Sequence, residues 1–120
     1  MKTILLLDDD PYHLDQLSQV LCTNGYETVP CLNVAAAMSA IGERAIDFAI
    51  VDLFLEGNEG DELSNEFIEL VLTPASIKYG RMSSAPGMVP KEYAGDWIID
   101  KRAFRRDPSE TLQALAKSLY

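Results

Sequence analysis

The sequence predicts an α/β domain built on a parallel sheet. Short apolar runs, Tyr26 to Leu32 and Asp47 to Val51 after an opening Ile4-Leu5-Leu6-Leu7, alternate with stretches of helical period. That βαβαβ order marks parallel strands joined by crossover helices. Two of the runs end in acids, Asp8-Asp9-Asp10 after the first and Asp52 after the third. The C-terminal ends of parallel strands open on one crevice, so these acids are expected to converge although more than forty residues separate them. Converging carboxylates call for a divalent cation.

Each element has its own signal. Asp10 can cap a helix with Pro11 in its first turn; Leu14, Leu17 and Leu21 continue at helical spacing until Gly25. An Ala-rich helix is expected over Val34 to Arg44. After Asp52, the loop from Leu53 to Gly60 carries Gly57 and Gly60. A helix follows with Leu63, Phe67, Leu70 and Val71 on its inner face, ending before Pro74. Residues 77–82 read as a fourth strand, more polar than a central parallel strand should be and interrupted by Gly80. Pro86, Gly87 and Pro90 leave room for no more than a turn or two of helix around Pro90 to Ala94, so the fourth crossover is stunted. Trp97-Ile98-Ile99 is a fifth strand leading to Asp100-Lys101. A last helix starts at Asp107-Pro108 and buries Leu112, Leu115 and Leu119.

With 120 residues and 48% hydrophobic content, residues 1–120 fit one domain with a single core. No apolar stretch approaches a membrane span, and the start, Met1-Lys2-Thr3-Ile4, lacks a secretory signal, so a cytoplasmic protein is expected. Cys22 and Cys31 have no metal-ligand spacing and read as buried, reduced thiols. The net charge of −9 is uneven: residues 1–77 carry 14 acids and 2 bases, residues 78–120 carry 5 acids and 8 bases. Direct nucleic-acid binding is not expected of so acidic a chain.

Leu7-Asp8-Asp9-Asp10-Pro11, Asp52 with Gly60 eight residues on, Ser83-Ser84 after the fourth strand and Lys101 after the fifth together resemble the receiver domain of two-component response regulators. The resemblance covers the whole chain. It implies a (βα)5 doubly wound sheet of order 2-1-3-4-5, a flavodoxin-like three-layer sandwich that the general rule for such folds already associates with this family. It implies that Asp52 accepts a phosphoryl group from a sensor histidine kinase or a phosphotransfer protein. Asp8, Asp9, Asp52 and the backbone carbonyl of Phe54 would hold Mg2+. Lys101 would supply a second positive charge, and Ser83 or Ser84 a hydroxyl for the phosphoryl group, with Ser83 preferred at the strand end. Such a protein is a switch that signals to a downstream partner protein and is no enzyme beyond its own phosphoryl transfer and slow dephosphorylation. Trp97 and Ile98 compete for the family's aromatic position on the fifth strand.

Plainer readings stand beside these. Asp8 and Asp9 could form a solvated acidic turn, Asp52 an ordinary strand-end acid, and Lys101 one solvated base among Arg102, Arg105 and Arg106. His13 reads as a surface histidine. The chain departs from the family in Glu56, where proline is usual, in Arg102 after the lysine, and in the stunted crossover. By the resemblance, Phe54 and Ala85 or Pro86 hold the two positions that the family uses to influence the hydrolytic water; none of them offers a carboxylate or amide to orient it, so slow self-dephosphorylation is expected. The rival functions are a phosphorylation-independent adaptor of the same fold and a small Mg2+-dependent phosphohydrolase, for which Asp8-x-Asp10 is suggestive but the chain too short.

Overall fold

The computed structural model describes residues 1–56 and 60–120; Gly57 and its two successors in the expected loop lie outside the described residues. Strands β1 (Thr3–Leu7), β2 (Glu27–Cys31), β3 (Phe48–Val51), β4 (Lys78–Ser83) and β5 (Ile98–Asp100) form one all-parallel sheet of order β2-β1-β3-β4-β5. The order is the expected one. Helices α1 (Pro11–Thr23), α2 (Val34–Glu43), α3 (Glu62–Phe67), α4 (Lys101–Arg106) and α5 (Ser109–Leu119) complete the chain.

Side chains alternate across a strand, so each central strand feeds two cores. Ile4, Leu6, Phe48 and Ile50 meet Leu14, Leu17 and Leu21 of α1 and Leu115 of α5 on one face. Leu5, Leu7, Ala49 and Val51 meet Ala37 of α2 and Phe67, Ile68 and Leu72 on the other. Asp10 caps α1, its carboxylate accepting from the Tyr12 amide at 3.0 Å.

Four expectations need correction. Leu70 is 64% exposed, because α3 widens into a π-helical turn over Ile68–Leu72 that turns Ile68 and Leu72 inward in its place. Cys22 is exposed: it lies one residue, or 100° of helix, beyond the Leu14-Leu17-Leu21 stripe, whereas Cys31 is buried as expected. Leu112 and Leu119 pack only partly buried, beside a fully buried Leu115. The segment before Asp107 is also helical. Its capping residue is Asp100, which accepts from the Arg102 amide at 2.8 Å; a single buried apolar residue, Phe104, left no periodic stripe to read.

The crossover from β4 to β5 contains no α-helix. Two 3-10 turns, Pro86–Met88 and Lys91–Tyr93, take its place. Gly80 within β4 has a packing reason: a Cβ there would lie 2.6 Å from the Trp97 ring, which stacks on Phe48 with centroids 5.6 Å apart.

Candidate functional site

The site lies at the C-terminal rim of the sheet. Leu7 of β1 pairs with Val51 of β3, so the residues that follow, Asp8 and Asp52, leave the sheet side by side; the Asp52 amide donates to the Leu7 carbonyl at 2.9 Å. Both acids are buried, while Asp9 is half-buried at the mouth. Asp8, Asp9 and Asp52 each present an oxygen within 4.8 Å of the others. Three carboxylates at that spacing fit a hard, oxygen-seeking divalent cation.

Lys101 completes the cluster. Asp100 ends β5 and caps α4, which turns the next residue inward: the Lys101 Nζ lies 2.7 Å from Asp8 Oδ2 and 3.2 Å from Asp52 Oδ2. The intervening Asp100 therefore does not displace the lysine from the acids. Ser83 ends β4 on the same rim, paired with Asp100; it is buried, its Oγ accepting from the Ala85 amide at 3.0 Å, whereas Ser84 is exposed. Phe54 is half-buried, two residues beyond Asp52.

Burial, and then the neighbouring Asp8 carboxylate, push the Asp52 carboxyl up to about 7, against the opposing pull of Lys101 and of the Leu53 amide. Near neutrality the group is poised between its charged and neutral forms. Burial depresses the Lys101 ammonium, but Asp52 and Asp8 more than offset it and leave its pKa raised. A bound cation would favour the ionised carboxylates, as any nearby positive charge does.

Two site neighbours escaped sequence reading. His13 is 1% exposed, not on the surface: its Nε2 lies 3.2 Å from Met82 Sδ and 4.0 Å from Asp8 Oδ2, and its ring meets Phe104 edge-on. Burial lowers its pKa, with Asp8 opposing. The helical spacing was the available signal, since position 13 adjoins Leu14 and Leu17 on the inner face of α1.

The second is Arg81, fully buried in β4. Its Nε donates to the Val51 carbonyl at 3.2 Å; one terminal nitrogen donates to Asn65 Oδ1 at 3.2 Å and the Tyr93 carbonyl at 2.9 Å, the other to the Asp52 carbonyl at 3.3 Å and Ser64 Oγ at 2.8 Å. Every guanidinium donor is used. Among the described residues no carboxylate lies in ion-pair range, and burial pushes its pKa down to about 10. The polarity of the fourth strand was its sequence signal, read only as a weakness.

No protein-family model matches the chain. Over 125 aligned residues it is 30% identical to the photosynthetic apparatus regulatory protein RegA of Rhodobacter capsulatus, covering 98% of this chain and 65% of that protein's length. Among solved structures, a CheY-like response regulator receiver domain protein from Methanospirillum hungatei superposes with a TM-score of 0.64 at 25% identity, covering 98% of each chain. The response regulator TrrA of Thermotoga maritima, solved in complex with Mg2+-BeF, gives 0.69 at 20% identity over 95% of this chain and 99% of that one. The chain has the receiver fold of CheY-like response regulators, and in sequence it is similar to a regulatory protein just under two thirds of whose length it spans.

Within the receiver frame its departures have physical causes. Glu56 has a φ of +57°, which a proline ring locked near −65° cannot adopt, so the usual proline is incompatible with this loop. The glutamate carboxylate instead accepts from the Val34 amide at 3.2 Å, joining the loop to the start of α2. Just before β5, Trp97 packs inward over Gly80, and Ile98 at the start of the strand is 36% exposed.

Proposed function

We propose that this receiver accepts a phosphoryl group on Asp52 in an Mg2+-dependent reaction and switches conformation to signal to a separate protein. The observation that carries the reading is the convergence of Asp8, Asp9 and Asp52 within 4.8 Å with the Lys101 ammonium between two of them. An isolated acidic turn has no use for a buried lysine directed into it, and a buried cluster of this kind is costly unless it serves a ligand.

In the proposed reaction an Asp52 carboxylate oxygen forms the new bond to phosphorus as the bond to the imidazole nitrogen of a sensor kinase or phosphotransfer protein breaks. Asp8, Asp9, Asp52 and the Phe54 carbonyl are the residues that would hold Mg2+. When bound, the ion offsets the carboxylate repulsion and offers open positions to phosphoryl oxygens. Lys101 stands 3.2 Å from the Asp52 carboxylate and is placed to neutralise charge there. Ser83, at the rim of the adjacent strand, would donate its hydroxyl to the acyl phosphate. The bond it now accepts from the Ala85 amide leaves that hydroxyl hydrogen free to donate, so a serine drawn toward the phosphoryl group would carry the first residues of the crossover with it.

Intact-mass measurement after acetyl phosphate tests this. A phosphoryl adduct is expected with Mg2+, none in EDTA and none in Asp52→Asn. An adduct that survives both would place the acceptor elsewhere.

A further inference from the structure

Arg81 is an improbable residue for mere filling. A guanidinium at 0% exposure, with no carboxylate in ion-pair range among the described residues, loses its hydration without an ion pair in return, and an apolar side chain of similar volume would pack there at lower cost. What it gains is five directed hydrogen bonds, and their destinations are not scattered. Two are the carbonyls of Val51 and Asp52, the strand end that carries the proposed acceptor. Two are Asn65 and Ser64 at the start of α3, and Ser64 donates in turn to the Leu53 carbonyl at 2.6 Å. The fifth is the Tyr93 carbonyl, in the middle of the β4–β5 crossover.

Trp97 lies against Gly80 and Phe48 on the opposite face of the sheet, and a close fit of that kind leaves its ring little freedom to swing. Arg81 shares the other face with Tyr79 and Ser83, two residues from each along β4, so the guanidinium and the serine ride on one strand.

We propose that Arg81 is a positioning residue that couples the Asp52 strand end to the β4–β5 crossover, so that a change at the acceptor is delivered to the backbone at Tyr93. This rests on the reading of Asp52 as phosphoacceptor. A shift of β4 or of the Val51-Asp52 backbone carries the guanidinium with it, and the Tyr93 carbonyl follows. The Tyr93 hydroxyl, which donates to Glu69 at 3.2 Å, passes the displacement to the acidic face formed by the exposed Glu62 and Glu66 of α3 and Glu69 of the π-turn that follows. The receiving surface is then the irregular crossover and that acidic face together.

Hydrogen exchange with intact-mass control tests the coupling. In the wild-type chain, adduct formation with acetyl phosphate and Mg2+ should change exchange several-fold at the Tyr93 and Ala94 amides, which donate to Pro90 and Lys91 carbonyls. In Arg81→Met, and in Arg81→Gln as a milder variant, the adduct should leave those amides unchanged at matched stoichiometry. A merely structural arginine would alter baseline exchange but not the response to the adduct. The same response in a folded Arg81 variant overturns the coupling and leaves the acceptor reading intact. Wild-type amides that do not respond to a measured adduct overturn it as well, whether or not the variants fold. A wild-type chain that takes up no adduct overturns the acceptor reading, and this inference with it.

Discussion

In metal-free buffer above neutral pH, Asp52→Asn should make the protein more stable. The Asp52 carboxyl is pushed up to about 7 from an ordinary value of 3.8, mainly by burial and then by Asp8. Below pH about 4 it is protonated in both folded and unfolded chains and contributes nothing to the difference. As pH rises past that value the unfolded chain ionises first, so the folded state loses about 1.4 kcal/mol per pH unit until its own group ionises near 7. Ionising near 7 in the folded chain, where an ordinary carboxyl ionises near 3.8, costs the folded state roughly 4 kcal/mol, with the attraction of Lys101 already included. Asparagine never ionises, and Lys101 keeps Asp8 at 2.7 Å. The variant should therefore exceed wild type by about 2–4 kcal/mol at pH 8, with the gain shrinking to near zero at pH 4. Urea unfolding of both chains in EDTA across this range is the assay. His13 runs the other way, since its lowered pKa costs stability as pH falls below about 6.5, but it is common to both chains and cancels in the difference. A gain that does not depend on pH, or a variant weaker than wild type at pH 8, would refute the reasoning.

Further outcomes follow from the same geometry. Asp9→Asn should weaken Mg2+ binding while leaving metal-free stability unchanged or higher, because it removes one like charge from the cluster; a large fall in melting temperature in EDTA with unaltered Mg2+ affinity would contradict this. Lys101→Met should cost about 3–5 kcal/mol at pH 8 without metal, since it leaves two buried carboxylates without their cation, and should lower the yield of adduct with acetyl phosphate; calorimetry and intact mass read the two effects. Gly80→Ala should destabilise by about 1–3 kcal/mol and shift the emission of the sole tryptophan, because the new methyl displaces Trp97 from Phe48; an unshifted spectrum would show that the ring has room. Phe54→Asn should shorten the lifetime of the acyl phosphate in Mg2+ buffer, and an unchanged decay would remove Phe54 as the cause of slow loss.

The sheet was legible because burial on both faces leaves β1 and β3 no choice but continuous apolar runs, which end at Asp8 and Asp52 on the rim of the sheet. The acids, the lysine and the serine were legible because strand-end position alone brings them to one rim. What stayed hidden depends on three-dimensional partners. His13 looks like any polar residue near a helix start until Met82 and Phe104 enclose it. The π-turn that exposes Leu70 inserts a residue without breaking the apolar pattern, so periodicity cannot reveal it. Arg81 could be seen as out of place but not explained, since its partners come from β3, α3 and the crossover.

The irregular crossover also bears on how a buried guanidinium can be satisfied. A regular helix directs its carbonyls along its own axis to amides four residues ahead, leaving none turned sideways for a neighbour. Two short 3-10 turns leave the Tyr93 carbonyl facing Arg81. The two departures support each other: the irregular crossover supplies one of the five acceptors that Arg81 uses, and Arg81 supplies a donor to a carbonyl that the crossover turns inward.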